Sequence, residues 1–460
     1  MLPVGRWLLW LPLLACSQPE DVLAGKEDSV GYPQARSGPM TPPLPISPLS
    51  GGFRAGQAGW SNWASTPTGQ LPPPEVNNTE QNNKEPSQED EIEGGEQEAE
   101  EKPPRLLGDR FHGRGPVAFE YIYIGELLSN TRGGLRTRHG TRYEGLLDLA
   151  MDLDLPKLNP RLPGKFHLLF QHTHGRGLSL DFVGDAQMIS TIDSFGNRTQ
   201  VSKYWWETTL WDDRLMIRLG KQDVNDEFHR VELATEFVHS AAGIPATLPA
   251  PTYPDNSVGA VLVLKLTEAL WAKAGVWDGY PDGRTWGFSN TGATFTIVEL
   301  ERRHRLGDRL PGVIDLGFSH RSAIQLPEEQ SPEQYTLYFD IEQSVFRENP
   351  TDDKDEQGLG CFFRFHTDFP RAETECKEYF AAGILYRGLF PGRDNDSVGL
   401  AVFHLLHNLG GTGRETATEL FYKYQFTPWM TLQPVLMYIA SPSGIYRDSF
   451  VVGLRFQVVF

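Results

Sequence analysis

Beyond residue 115, apolar side chains recur at every second position, in runs broken by turns rich in Gly, Pro and Asp. A period of two marks a strand whose two faces meet different surroundings. The last stretch, DSFVVGLRFQVVF (448–460), shows it most plainly. Phe450, Val452, Leu454, Phe456, Val458 and Phe460 fall on one side; Ser449, Val451, Gly453, Arg455, Gln457 and Val459 fall on the other. Counting back from Phe460, the pattern predicts strands at 449–460, 430–439, 417–426, 396–405, 379–388, 359–367, 334–345, 312–320, 293–303, 270–277, 258–266, 214–221, 201–210, 165–173, 144–154 and, more weakly, 119–125. The number is even, and tilted strands of about 9–11 residues cross a bilayer. An open soluble sheet would leave that greasy terminal strand as a bare edge, whereas in a closed barrel it pairs with the first strand. The expectation is therefore an all-β fold: a sixteen-stranded antiparallel transmembrane β-barrel.

The connections agree. FTPWM, GLFPGRDN, WDDR and LTEALW are tight, while HLLHNLGGTGRETA, TDFPRAETECKE, SAIQLPEEQSPE and residues 222–257 are longer. Short periplasmic turns opposite long outer loops are expected of such barrels. RENPTDDKDEQGL breaks the trend, being long on the periplasmic side. Alternation also assigns faces. Leu420, Tyr422, Tyr424 and Phe426 oppose Glu419, Phe421, Lys423 and Gln425; Leu147, Leu149, Met151, Leu153 and Leu155 oppose Asp148, Asp152 and Asp154. Likewise Tyr335, Leu337, Phe339 and Ile341 oppose Tyr338, Asp340 and Glu342. The expected outer surface is apolar and the inner one polar and charged.

Composition fits this reading. The chain holds 11 Trp, 15 Tyr and 26 Phe, and no stretch after residue 15 approaches the about 20 apolar residues of a membrane helix. Of the net charge of −18, residues 73–102 supply −9, from 11 acidic residues and two lysines. No basic patch stands out, so no nucleic-acid partner is expected. Residues 17–105 are Pro/Gly/Ser-rich and then acidic, with too few apolar side chains to offset the entropy of ordering; a disordered tether is expected there. MLPVGRWLLWLPLLAC (1–16) reads as an export signal. Leu13-Leu14-Ala15-Cys16 resembles a bacterial lipobox, which would acylate Cys16; the alternative is an ordinary signal peptide cut here or near Ala24. The layout is thus signal (1–16), tether (17–105) and barrel (106–460). Cys361 and Cys376 could pair in an oxidising periplasm or stay free.

YFDIEQSVFRE, GLGCFFRF, YFAAGILYRGLFPGRDNDSVGLAV, ETATELFYKYQ, LQPVLMYIASPSG and the closing GLRF, with YWWETTLWDDRLMIRLGKQDVNDEF, PTYPDNSVGA and GVWDGYPDG before them, resemble the carbohydrate-selective porins of the OprB family. The resemblance runs, in order, over most of the barrel. It implies an outer-membrane barrel through which small carbohydrates such as glucose diffuse, and a terminal aromatic residue read by the barrel-assembly machinery. Gly133-Gly134-Leu135-Arg136 matches an early family element, but the Trp usual before it is absent, and the acidic tether is not typical.

A sixteen-stranded barrel is wider than a sugar, so selectivity needs a constriction. Residues 222–257 form the third outer loop, with a helix-like stretch from Glu232 to Ser240 and a Pro-rich return; they are expected to fold inward, a surface lid being the alternative. Carboxylates and guanidinium forks hydrogen-bond vicinal hydroxyls, and aromatic faces cover the C–H side of a sugar ring. Candidates for such contacts are Glu207, Arg218, Asp226, Glu227, Glu342, Arg364, Arg387 and Glu419, with Trp277 as the aromatic; simple lumen lining is the alternative for each. His167 and His172 point to opposite faces, which argues against a metal site, and Ser319 and His320 point apart, leaving no nucleophile–base pair. Neither cofactor nor catalytic activity is expected. Competing roles are a general diffusion pore, or a structural barrel anchoring the outer membrane to the cell wall through the periplasmic tether; oligomeric state stays open.

Overall fold

With one oily and one wet face, each strand needs lipid on one side and water or protein on the other, and strands of this kind close on themselves. The computed structural model describes residues 106–107, 111–113, 115–281, 283, 285–307, 309–325, 330–349 and 355–460. The expected signal, Cys16 and tether lie outside the described residues. The strands are β1 (Val117–Gly134), β2 (Thr141–Asp154), β3 (Lys165–Gly175), β4 (Arg198–Leu210), β5 (Leu215–Gln222), β6 (Ser257–Thr267), β7 (Leu270–Asp278), β8 (Thr294–Leu306) and β9 (Leu310–Arg321). After a short ribbon of β10 (Ile324–Gln325) and β11 (Gln330–Ser331) come β12 (Gln334–Arg347), β13 (Gly358–Phe369), β14 (Cys376–Arg387), β15 (Ser397–His407), β16 (Arg414–Thr427), β17 (Met430–Ala440) and β18 (Arg447–Val459).

Leaving the ribbon aside, these strands form one closed antiparallel barrel of sixteen, in which β1 pairs with both β2 and β18. Closure sets Glu126 against Arg455 and Leu127 against Leu454, so the terminal strand exposes no edge. Each predicted strand has its counterpart. The first is much longer than its weak signal suggested, because Asn130, Arg132 and the two glycines continue pairing where no apolar alternation exists to reveal it. Cys361 lies opposite Gln343 and Ile384 while Cys376 lies opposite His407; both thiols are free.

Leu127, Leu262, Leu316, Leu337, Leu400, Leu420, Leu436 and Leu454 are exposed on the outer wall, as a lipid-facing band requires. The inner wall departs from expectation. Instead of being uniformly polar, on β13–β17 it carries Phe362, Tyr379, Leu385, Phe403, Leu405, Phe421, Val435, Met437 and Ile439, all buried. They pack against Phe237, Val238, Ala241 and Ala242 of the loop between β5 and β6, and that cluster also takes in Leu178, Phe182, Val183 and Ile189 between β3 and β4. The apolar patch is a seat for these two infolded loops, and gives the barrel an internal core.

The stretch from Glu232 to Ser240 is not one helix. It makes a 3-10 turn (Glu232–Ala234), a turn and bend, and then a single α-turn, α1 (Ser240–Gly243). The reason lies in the wall: the N–H groups of Leu233, Val238 and His239 are drawn outward to carboxylates of Glu342 and Glu419 instead of closing helical hydrogen bonds.

Candidate permeation site

The loop from 223 to 256 is clamped at intervals across the lumen. Its ends are tied by Asp223, which accepts from Thr252 Oγ1 (2.7 Å) and Tyr253 N (3.1 Å). Lys203 of β4 donates to both oxygens of Asp226 (2.6 and 2.7 Å). Further along, Glu299 accepts from His229 N (3.0 Å), Glu342 from Leu233 N (3.0 Å), and Glu419 from Val238 N and His239 N (2.8 Å each). Charge-assisted bonds of this kind are the stronger class.

Arg364 forms the central clamp. It holds Asp340 through two bonds of 3.0 Å and donates to the carbonyls of Ala242 (2.6 Å), Gly243 (2.8 Å) and His229 (3.0 Å). At the loop tip, Glu236 meets Arg387 (2.8 Å), the Ser397 hydroxyl and Lys423 (3.7 Å). Burial alone would raise the Glu236 pKa, but Lys423 and Arg387 hold it down to about 2. Burial pushes neighbouring His239 down to about 3; its Nδ1 accepts from Ala241 N, so the ring is neutral. The Trp277 ring is buried against Phe228 and Phe295, and its Nε1 donates to Gln222 O (3.3 Å).

A second constellation stands beneath the loop. Glu207 and Arg218 are register partners on β4 and β5, joined at 2.7 Å from Nε and 2.6 Å from Nη2. Arg218 also reaches Glu227 at 3.5 Å, and Lys165 reaches Glu207 at 3.1 Å. Trp205 is stacked on His167 (4.7 Å), and the Arg218 guanidinium lies over its ring, 4.8 Å from the centroid. Thus Glu207, Arg218 and Glu227 come together, with Asp226 beside them on Lys203. Glu342, Arg364, Arg387, Glu419 and Trp277 stand apart, as points where wall meets loop.

Sequence reasoning passed over Lys165, Lys203, Trp205, Lys273 and Arg303. Lys203, Trp205 and Glu207 share one strand face, so reading that face whole would have found two of them. Lys273 bonds Glu299 (2.9 Å) and Glu301 (2.6 Å), and Arg303 bonds Glu301 (2.6 Å). Exposure separates their roles: Arg218 and Arg364 are 1% and 0% exposed, whereas Lys165 is 28%, Arg230 33%, Glu232 47% and Arg303 33%. A passing solute can touch the second group; the first shapes the passage. His229, Asp340 and His366 converge, as do Glu299, Glu301 and Asp315. Arg364 pairs with Asp340 in the first set, and Lys273 and Arg303 pair with Glu299 and Glu301 in the second.

The model of the family described as carbohydrate-selective porin, OprB family, matches residues 138–460. The chain belongs to that family. It is similar to Porin B of Pseudomonas aeruginosa, with 22% identity over 399 residues, 74% of this chain and 87% of that protein. It shares its fold with Pseudomonas putida OprB: the high-pH structure gives a TM-score of 0.66 at 21% identity, covering 75% of this chain and 94% of the other. The low-pH structure gives 0.53 at 19%, covering 75% and 93%. The chain is accordingly an outer-membrane porin of a sugar-selective family, with the architecture of a channel.

Proposed function

We propose that this porin passes monosaccharide-sized carbohydrates, glucose among them, down their concentration gradient past the clamped loop, and that the cluster of Glu207, Arg218, Glu227, Asp226 and Lys165 sets their passage. The observation that carries this is the clamping itself. A loop fastened by Lys203, Glu299, Glu342, Arg364, Arg387 and Glu419 holds a narrow aperture open against thermal collapse. Lys165, Asp226 and Glu227, which reach solvent, exchange hydrogen bonds with sugar hydroxyls as water leaves them, while buried Glu207 and Arg218 hold that group in place. Because conduction requires release, a few weak contacts suffice. The protein's residues bind and orient; no bond of the solute is made or broken.

Single-channel recording with glucose titration tests this. In Glu207→Gln and Arg218→Gln the glucose concentration for half block rises severalfold; unchanged block in both removes the cluster from the sugar path. For the chain's beginning, the reading is an export signal ending at Cys16, acylation of that cysteine and a periplasmic tether over 17–105. Labelling with a palmitate analogue checks it: label at Cys16 is expected, and its absence leaves an ordinary signal peptide.

A further inference from the structure

The chain is acidic overall, yet the outer rim at the β1–β2 hairpin is strongly basic. Between Leu127 and Tyr143 there is no Asp or Glu, while Arg132, Arg136, Arg138, His139 and Arg142 fall within eleven residues. Arg447 joins them from β18, where it pairs with Gly134. Five of the six lie on the hairpin itself, and the pairing of β1 with β18 brings the sixth beside them. Arg132, Arg136, Arg138, His139 and Arg447 are exposed and Arg142 is half-buried. Among the described residues, none of the five arginines forms an ion pair with a carboxylate. Arg136 donates to the Asp181 carbonyl (2.8 Å), and Arg142 to those of His139 and Thr141. Asp448 lies near enough to feel the charge of Arg132, but takes its hydrogen bonds from Tyr438 Oη (2.6 Å) and Ser441 N (3.0 Å).

The height of the patch identifies what it meets. Arg132 is the register partner of Phe450, and Phe450, Tyr438 and Leu127 are the exposed apolar residues that end the lipid-facing wall there. The arginines therefore begin where hydrocarbon gives way to headgroups. Arg142, the register partner of inward-facing Leu128, and Arg136 lie with their guanidinium groups 4.3 and 4.6 Å from the centroid of Phe182 in the infolded loop and so belong to the lumen side of the rim, whereas Arg132 sits beside outward-facing Phe450. Guanidinium forks without a carboxylate partner suit phosphate oxygens, which they bind bidentately.

We propose that this rim binds the phosphate groups of an anionic glycolipid in the outer leaflet surrounding the barrel. The site is separate from the permeation path and does not rest on the sugar reading.

The test is binding of fluorescent bisphosphorylated lipid A to the full chain folded in detergent, in four arms. Arg132→Gln/Arg138→Gln/Arg447→Gln should weaken binding by about tenfold or more, since each basic residue near an anionic surface contributes measurably. Removing both phosphates from the lipid should do the same to the unaltered protein, an arm that needs no variant to fold. Inorganic phosphate at millimolar concentration should not displace the lipid, and Arg371→Gln/Lys377→Gln elsewhere on the rim should bind normally. Glucose block should be unchanged throughout. Equal binding by the triple variant, equal binding of the dephosphorylated lipid, or displacement by inorganic phosphate would each overturn the proposal. So would altered anion permeation with lipid binding intact, which would assign the patch to the pore mouth.

Discussion

Arg364 shows what one charge does inside this barrel. Its five hydrogen bonds reach a carboxylate on the neighbouring strand and three carbonyls of the loop, and the side chain is fully buried. Arg364→Ala would strand the Asp340 charge, and removing one partner of a buried pair costs about 3–5 kcal/mol. Thermal unfolding in detergent should show that loss, together with noisier open-channel current as the loop loosens. A second prediction concerns acid. Glu236 has a pKa lowered to about 2, so its anchoring is complete at neutral pH and is lost only as pH falls from its ordinary range through about 2. His239 is depressed to about 3, so the unfolded chain takes up a proton there first and loop stability falls as pH drops below about 6.5. Current noise should therefore grow between pH 6.5 and 4, and His239→Phe should flatten that growth. Glu236→Gln should instead be noisy at every pH. A noise profile in His239→Phe matching the unaltered protein would rule out this assignment. At this scale alternation shows that Glu207 and Arg218 face inward, but not that Arg364 and Glu419 spend their charges on loop backbone. That depends on where a chain more than a hundred residues away in sequence comes to rest.

Strands and loops differed in legibility for a physical reason. Strand positions were readable because each face answers to a single solvent, so apolar alternation tracks geometry residue by residue. Loops lack that periodic constraint. The infolding of 222–257 could be argued from its length and amphipathic middle, but its backbone path could not, because Glu342 and Glu419 compete with helical hydrogen bonding from outside the segment. The loop between β3 and β4 went unremarked although Glu415 holds it through Ala186 N (2.7 Å) and Gln187 N (3.1 Å), as firmly as its larger neighbour is held. The apolar inner patch was missed likewise: Phe403 and Phe421 alternate correctly, yet a strand pattern cannot distinguish a wet lumen from a seat for a loop. Removing residues 228–250 and bridging the gap with a short Gly/Ser linker should raise conductance severalfold and abolish glucose block, with the barrel still resisting detergent at room temperature. Unaltered conductance would show that the loop does not limit flow.

Over the whole molecule, function rests on closure: β1 and β18 seal the wall, lipid takes the outside, and two clamped loops narrow what remains inside. Family membership gives the class of solute, and the clamped loop is the proposed means of choosing among solutes. These two halves of the account can fail separately, since a closed barrel need not discriminate. Liposome swelling joins them in one experiment. Vesicles containing the purified protein, diluted into isotonic glucose or into an uncharged non-sugar of equal size, should swell markedly faster in glucose. Absence of swelling, or rates ordered by size alone, would contradict the account.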